Sequence, residues 1–498
     1  MKMKRFGKGY VLTAGMTMLA MLLLLAVSTG SLLGCSDNTP AAMMGKSTGL
    51  PADTISNEAF KDKFPLQYES YMLNGQGFPE LSELSKFELD REPLFPILFY
   101  KSAFSYDYNK SRGHGYADND VAHTLRTNDE TKGGCYTCKS SAVPRLIEER
   151  GDAFYTDNLL HDIIPAAEAM GTSPVGCTDC HNPTDMTLRA PRPHFKEGLA
   201  ERGIDSDTAP ASDQRSYVCA QCHLSYYFNA KTNVVTLPWT HLNVPRQTAP
   251  NDYFNPAEAQ PGDAALQTYV YFQTKGKERG FEQDFVHGIS GVPILKPRHP
   301  EFEMCIDPTG AHGDQSCATC HMPRAKADDG TEYTNHHLGS PLENPVGCTN
   351  CHGDNMEPRI TAARSLQAAY RTKLERAQEL GVRSHYYVNR MVTVGVDADI
   401  IDEVRGNIQF AQWLWDFCAA ENSSGFHNPK GFQRVLDLSI DSSTGLLAVA
   451  TNALVEKGVD IAQLDDQIEQ TIAAVKAETD TSKKRDFAVN EWFPALDQ

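Results

Sequence analysis

The chain has 498 residues, 46 Lys plus Arg against 64 Asp plus Glu, and a formal net charge of −18. That balance excludes nucleic acid as a partner, and it means that an anionic substrate needs a local positive site. The chemistry is carried by its 13 cysteines and 16 histidines.

Lys2, Lys4, Arg5 and Lys8 make a basic start, Tyr10 to Val27 is mostly apolar, and Leu32-Leu33-Gly34-Cys35 has the form of a lipoprotein cleavage box. Residues 1–34 read as a secretory signal with a lipobox. This is favoured over an uncleaved membrane anchor because small residues and a processing site follow at once. If the box is used, Cys35 carries lipid and the exported protein sits on a membrane without spanning it. Residues 35–56, small and polar, read as a tether.

Residues 57–356 hold five C-x-x-C motifs. The first is Cys135/Cys138/Lys139; the others are Cys177/Cys180/His181, Cys219/Cys222/His223, Cys317/Cys320/His321 and Cys348/Cys351/His352. C-x-x-C-H attaches haem c: two thiols become thioethers and the next imidazole reaches the iron. Five motifs give five covalent haems. The many Gly and Pro breaks of this region, such as Gly133-Gly134 and Gly291-Val292-Pro293, predict short helices and loops wrapped around porphyrins. Of the remaining cysteines, Cys305 and Cys418 are read as isolated thiols, favoured over a disulfide because nothing local pairs them.

Residues 357–498 read as a long helical region. Leu366, Ala369, Tyr370, Leu374 and Ala377 recur at helical spacing, with Gly381 placed to stop that helix. A second run covers about 398–420 and a third about 430–457, ending at Gly458. Gly445 weakens the continuity of the third. Their apolar stripes pack within the chain or form a dimer seam; the pattern allows either. The predicted fold is mainly α, a multihaem cytochrome c arrangement followed by long C-terminal helices.

Lysine ligates iron only as the neutral amine, against an unperturbed pKa of about 10.4. Lys139 is therefore read as the proximal ligand of a distinct, reactive haem, rather than a chance replacement that would wreck the site. The other four haems need distal ligands. Histidines outside the motifs (His114, His123, His161, His194, His241, His287, His299, His312, His336, His337, His385 and His427) are candidates among which spacing does not choose.

One lysine motif followed by four histidine motifs resembles the pentahaem cytochrome c nitrite reductases, the periplasmic ammonia-forming enzymes. The likeness runs from about Arg112 to Leu436. Arg112-Gly113-His114 resembles the stretch with the distal ligand of the third haem, and Leu125-Arg126-Thr127 the one with the active-site arginine. Cys219 to Phe228 resembles the third haem site running into the active-site tyrosine, here Tyr226. Leu295 to Pro300 resembles the segment of the active-site histidine, here His299. By the same matching His312 caps the fifth haem, His336 the second and His427 the fourth.

The resemblance implies six-electron reduction of nitrite to ammonium, with Arg126 holding the anion, and His299 and Tyr226 donating hydrogen bonds and protons. It also implies a quinol-oxidising multihaem cytochrome as electron donor, while the expected homodimer is read from the long C-terminal helices. Many members hold calcium beside the site through a glutamate before the tyrosine and a glutamine before the histidine. Here those positions are Ser225 and Arg298. A lost carboxylate and a gained guanidinium both oppose calcium, so calcium is expected to be absent, with Arg298 supplying the positive charge. The alternatives are an electron-transfer cytochrome without a catalytic site, a reductase of sulfite or hydroxylamine, and a respiratory scaffold.

Overall fold

The structure, a computed structural model, describes residues 45–75, 91–105, 107–108, 112–171, 174–238, 260–276, 278–305, 315–480 and 483. The signal segment, Cys35, His241 and His312 lie outside them.

Between Asn57 and His352 the described chain forms helices of a few residues, the longest of them Ala211–Ala220. Pro65, Pro144, Pro165 and Pro193 stand in first turns, where a missing N–H goes unneeded. Three antiparallel two-stranded sheets interrupt them: β1 (Tyr227–Phe228) with β2 (Val235–Thr236), β3 (Phe285–Val286) with β4 (Pro293–Ile294), and β5 (Arg324–Lys326) with β6 (Glu332–Thr334). Elements this short bury little of their own. Two small apolar clusters are confined to this segment, one around Phe195, Tyr217 and Leu224, the other around Tyr136, Val143 and Phe154, while Tyr227, Tyr271, Phe281 and Ile294 join the large core.

The large core is built mainly by the C-terminal helices. Four C-terminal helices, Glu357–Thr393, Ala398–Ala419, Pro429–Glu456 and Ile461–Ala477, pack on one another and on Leu94 to Tyr100. Side-chain caps start three of them: Asp397 accepts from the Asp399 N–H, Asn428 from Gly431 and Asp460 from Gln463. Helix Pro429–Glu456 is long and apolar enough to cross a membrane by length and composition, and its Phe432, Val435, Leu436, Ala450 and Leu454 are buried against the other helices.

Two expectations for this region need correction. Gly381 does not stop the first helix, which runs on for three more turns. A Cβ there would meet Leu98 Cδ2 at 3.0 Å and Trp415 Nε1 at 3.4 Å, so this glycine is a point of close approach. Gly445 leaves the third helix unbroken, and an added Cβ there would meet only open space. The fourth helix was not anticipated, although Leu464, Ile468, Ile472 and Val475 are buried at helical spacing behind the Asp460 cap.

Candidate active site

The first motif is entered through Gly133 and Gly134. A Cβ on Gly133 would lie 2.0 Å from the Phe154 carbonyl oxygen, and one on Gly134 2.6 Å from Asn233 Nδ2. The short helix Gly133–Tyr136 then sets Cys135, and the Lys139 N–H donates to the Tyr136 carbonyl at 2.9 Å.

Arg192, fully buried, ties this motif to the next two. Its Nε donates to the Thr137 carbonyl at 2.8 Å, its Nη2 to Ser140 O at 3.1 Å, and its Nη1 pairs with Asp179 inside the second motif at 2.6 Å. Gln221, inside the third motif, donates to the Asp179 carbonyl at 2.7 Å. The Cys138 and Cys222 thiols are in hydrogen-bond contact, as are those of Cys219 and Cys317. The third motif thus lies between the first and the fourth. Sequence reading passed over Arg192; its signal was the charged and amide residues within the motifs themselves.

Of the motif cysteines, Cys135, Cys138, Cys177, Cys180, Cys219, Cys222, Cys317, Cys320 and Cys348 are free thiols. Cys351 stands exposed near the end of helix Val346–His352.

Ring positions test whether these residues suit haem. An iron takes an imidazole nitrogen at about 2 Å on each face and the ring centre lies about 1.1 Å beyond, so two axial rings stand roughly 6.2 Å apart. His181 and His336 are 6.2 Å apart, His114 and His223 6.3 Å, and His321 and His427 6.2 Å. The residues of these three pairs fit the group. His223 also has His299 at 6.2 Å, so its match with His114 rests on the resemblance.

Four other histidine candidates are occupied differently. His287 and His385 stack at 3.8 Å in the main core, where Ser290 Oγ bridges their Nδ1 atoms and Gln412 Oε1 accepts from His385 Nε2. His194 Nε2 donates to the Gln221 carbonyl, and His161 is exposed beside Asp129. Cys305 and Cys418 are free thiols.

Arg126 follows a loop pinned by Asp107, which accepts from Thr124 Oγ1 at 2.8 Å and from the Leu125 N–H. Its guanidinium lies 5.0 Å from the centre of the Phe104 ring, and its Nε is buried without a hydrogen-bond partner among the described residues. Tyr226 precedes β1 and feels the charges of both Arg298 and Arg126; burial pushes its phenol up, so it stays a neutral donor. His299 follows β4 in the left-handed region at φ 45, a conformation costing on the order of 1–3 kcal/mol in a residue with a side chain. Burial, and to a lesser degree the Lys139, His223 and Lys296 charges, lower its pKa to about 4, and its Nδ1 has no partner among the described residues. Lys139, Arg126, Tyr226 and His299 thus share one neighbourhood.

Arg298 knits that neighbourhood together. Its Nη1 donates to the Lys296 carbonyl at 2.9 Å and the Tyr226 carbonyl at 3.4 Å, while its Nη2 pairs with Asp284. Asp284 also accepts from the Lys296 N–H at 2.7 Å. Lys296 Nζ reaches Asp416 Oδ1, on helix Ala398–Ala419, at 2.6 Å, and both side chains are buried. Ser225 is buried; its N–H donates to Glu303 at 2.8 Å and its hydroxyl has no partner among the described residues. Asp284, Lys296 and Asp416 were not read from the sequence, because their partners are distant along the chain.

Comparison with known proteins follows the same lines. The chain matches the cytochrome c552 family model over residues 56–493. A cytochrome c-552 of Aliarcobacter butzleri is 32% identical over 426 residues, 81% of this chain and 78% of that one. The cytochrome c nitrite reductase subunit NrfA of Nitratidesulfovibrio vulgaris is 32% identical over 437 residues, 80% of this chain and 78% of that one. Among solved structures, the catalytic subunit of the cytochrome c nitrite reductase from Desulfovibrio desulfuricans, described with two calcium sites, aligns with a TM-score of 0.70 at 28% identity, covering 88% of this chain and 91% of that one. The chain belongs to the cytochrome c552 family.

Proposed function

We propose that this protein is an ammonia-forming nitrite reductase that works at a haem c held by Lys139, with four bis-histidine haems delivering electrons. The observation that carries the reading is the convergence of Arg126, Tyr226 and His299 on the lysine motif, in a fold shared with a named nitrite reductase. Haem c supplies the iron at which nitrite accepts electrons. Arg126 offers a permanent cation with an uncommitted N–H, the local positive site that a chain of net charge −18 needs for an anion. His299 is a neutral imidazole at pH 7, able to donate one N–H to a substrate oxygen and to pass a proton through it. Tyr226 keeps its phenolic proton and donates from the other polar edge.

In this reading calcium is not bound. Two carbonyl oxygens and the Asp284 carboxylate, hard donors of the kind calcium takes, are engaged by the Arg298 guanidinium, and Ser225 brings no carboxylate. Metal analysis of purified protein is expected to find no stoichiometric tightly bound calcium. An Arg298→Gln variant is expected to bind nitrite several-fold more weakly, and undiminished affinity would remove Arg298 from that role.

The same reading has the protein exported to the periplasm, anchored through Cys35, dimeric, and fed by a quinol-oxidising multihaem cytochrome. Its support is the basic, apolar and lipobox sequence of residues 1–35 and the family likeness. The test of function is reduced methyl viologen with nitrite, with ammonium quantified. Near-stoichiometric ammonium from wild type and loss of turnover in Lys139→His are expected; no nitrite consumption, or release of another product, would refute the assignment.

A further inference from the structure

The histidines proposed as axial ligands differ in what holds their second ring nitrogen. His181 Nδ1 donates to the Met186 carbonyl at 2.9 Å, His336 Nδ1 to Thr334 O at 2.8 Å, and His321 Nδ1 lies 3.3 Å from Gly339 O. All three partners are neutral. His223 Nδ1 has a carboxylate, Glu301, only at 4.0 Å. His427 Nδ1, by contrast, is directly hydrogen-bonded to Glu421 Oε1.

Glu421 is not where a carboxylate would rest by chance. It has 0% exposure and stands just past the C-terminal end of helix Ala398–Ala419, where the helix dipole disfavours negative charge. The site is built around it. Oε2 accepts from the Ser423 N–H at 2.9 Å and the Ser423 hydroxyl at 2.7 Å, and the His427 N–H closes the loop by donating to Ser423 Oγ at 2.9 Å. Every bond points the remaining carboxylate oxygen at the imidazole.

We propose that Glu421 is a positioning residue for His427: it locks the Nδ1–H tautomer, leaves Nε2 to ligate, and lends the ring anionic character that lowers the reduction potential of the fourth haem. A carboxylate partner raises the basicity of a ligating imidazole and so favours the ferric state over the ferrous. The fourth motif touches the third through Cys317 and Cys219, and the third touches the first through Cys222 and Cys138. Lowering the potential at the fourth haem makes electron passage toward the Lys139 site more favourable.

This rests on the reading of His427 as the distal ligand of the fourth haem. Spectropotentiometric titration of holoprotein tests it without recourse to activity. In Glu421→Gln, one low-spin midpoint is expected to move positive by at least 59 mV, a tenfold change in its one-electron equilibrium. The other low-spin midpoints should stay in place, and Ser423→Ala, which keeps the carboxylate, should move the affected one less. Unchanged midpoints, or a uniform shift of all of them, would overturn the proposal. If Glu421→Gln does not mature with its full haem complement, Glu421→Asp replaces it: a smaller positive shift supports the proposal, and none refutes it. His427→Ala separates the two layers of the inference. Loss of one low-spin centre there, with Glu421→Gln silent, sinks only the role of Glu421. Retention of every low-spin centre in His427→Ala sinks the ligand assignment beneath it.

Discussion

Arg126 carries a buried Nε without a partner among the described residues, and its charge is felt by Tyr226. Removing a single donor aimed at developing negative charge commonly costs about 10²–10³ in rate. Arg126→Ala is therefore expected to lower kcat/KM for nitrite by about that factor, with Arg126→Lys falling between because it keeps charge but loses the planar fork. Steady-state viologen assays check this, and a variant as efficient as wild type would take Arg126 out of the site. At this scale the sequence was most legible where covalent chemistry demands fixed spacing, as in the five motifs. Which histidines pair was illegible from spacing, since a partner arrives from any part of the chain; His336 lies 155 residues beyond His181 in number, with the rings 6.2 Å apart. The positive φ of His299 leaves no trace in composition either.

Among the elements, the haem-binding segment is held by buried polar clamps as well as by apolar contacts. Arg192 is the clearest, a buried guanidinium shared by Thr137, Ser140 and Asp179. Arg192→Met leaves Asp179 buried without its ion-pair partner, a change that costs about 3–5 kcal/mol when one member of such a pair is lost. The expected outcome is a lower melting temperature and poor haem loading, read from the haem-to-protein absorbance ratio; full loading with unchanged melting would show that the clamp is dispensable. The C-terminal helices were readable because their stripes repeat every three to four residues. Gly381 misled because a helix-stopping glycine and a close-packing glycine look identical until the Leu98 and Trp415 contacts are known. The last helix was missed although its cap and stripe were there to be read.

The molecule as a whole sets a large C-terminal core against a loop-rich region meant to be filled by cofactor, and this division makes its stability pH-dependent. Burial lowers the pKa of His194 and His385 to about 4, against about 6.5 in the unfolded chain. The unfolded state then takes up protons first, so this contribution is fully present above pH 6.5 and is lost as pH falls toward 4. Asp416 acts in the opposite sense: burial raises it to about 6, so its contribution is present at low pH and is lost as pH rises through that value. The two histidines outweigh the one carboxyl, and the denaturant midpoint should fall between pH 6.5 and 4. His385→Gln should flatten that fall; an unchanged slope would place the acid sensitivity elsewhere.

The central claim is that the Lys139 haem alone has an open coordination position for substrate while the others are closed by histidine. Ferric spectroscopy of the holoprotein during nitrite titration tests it most directly. One high-spin centre that converts on nitrite addition, beside low-spin centres that do not respond, is the predicted result. Uniformly low-spin haems indifferent to nitrite would contradict the account.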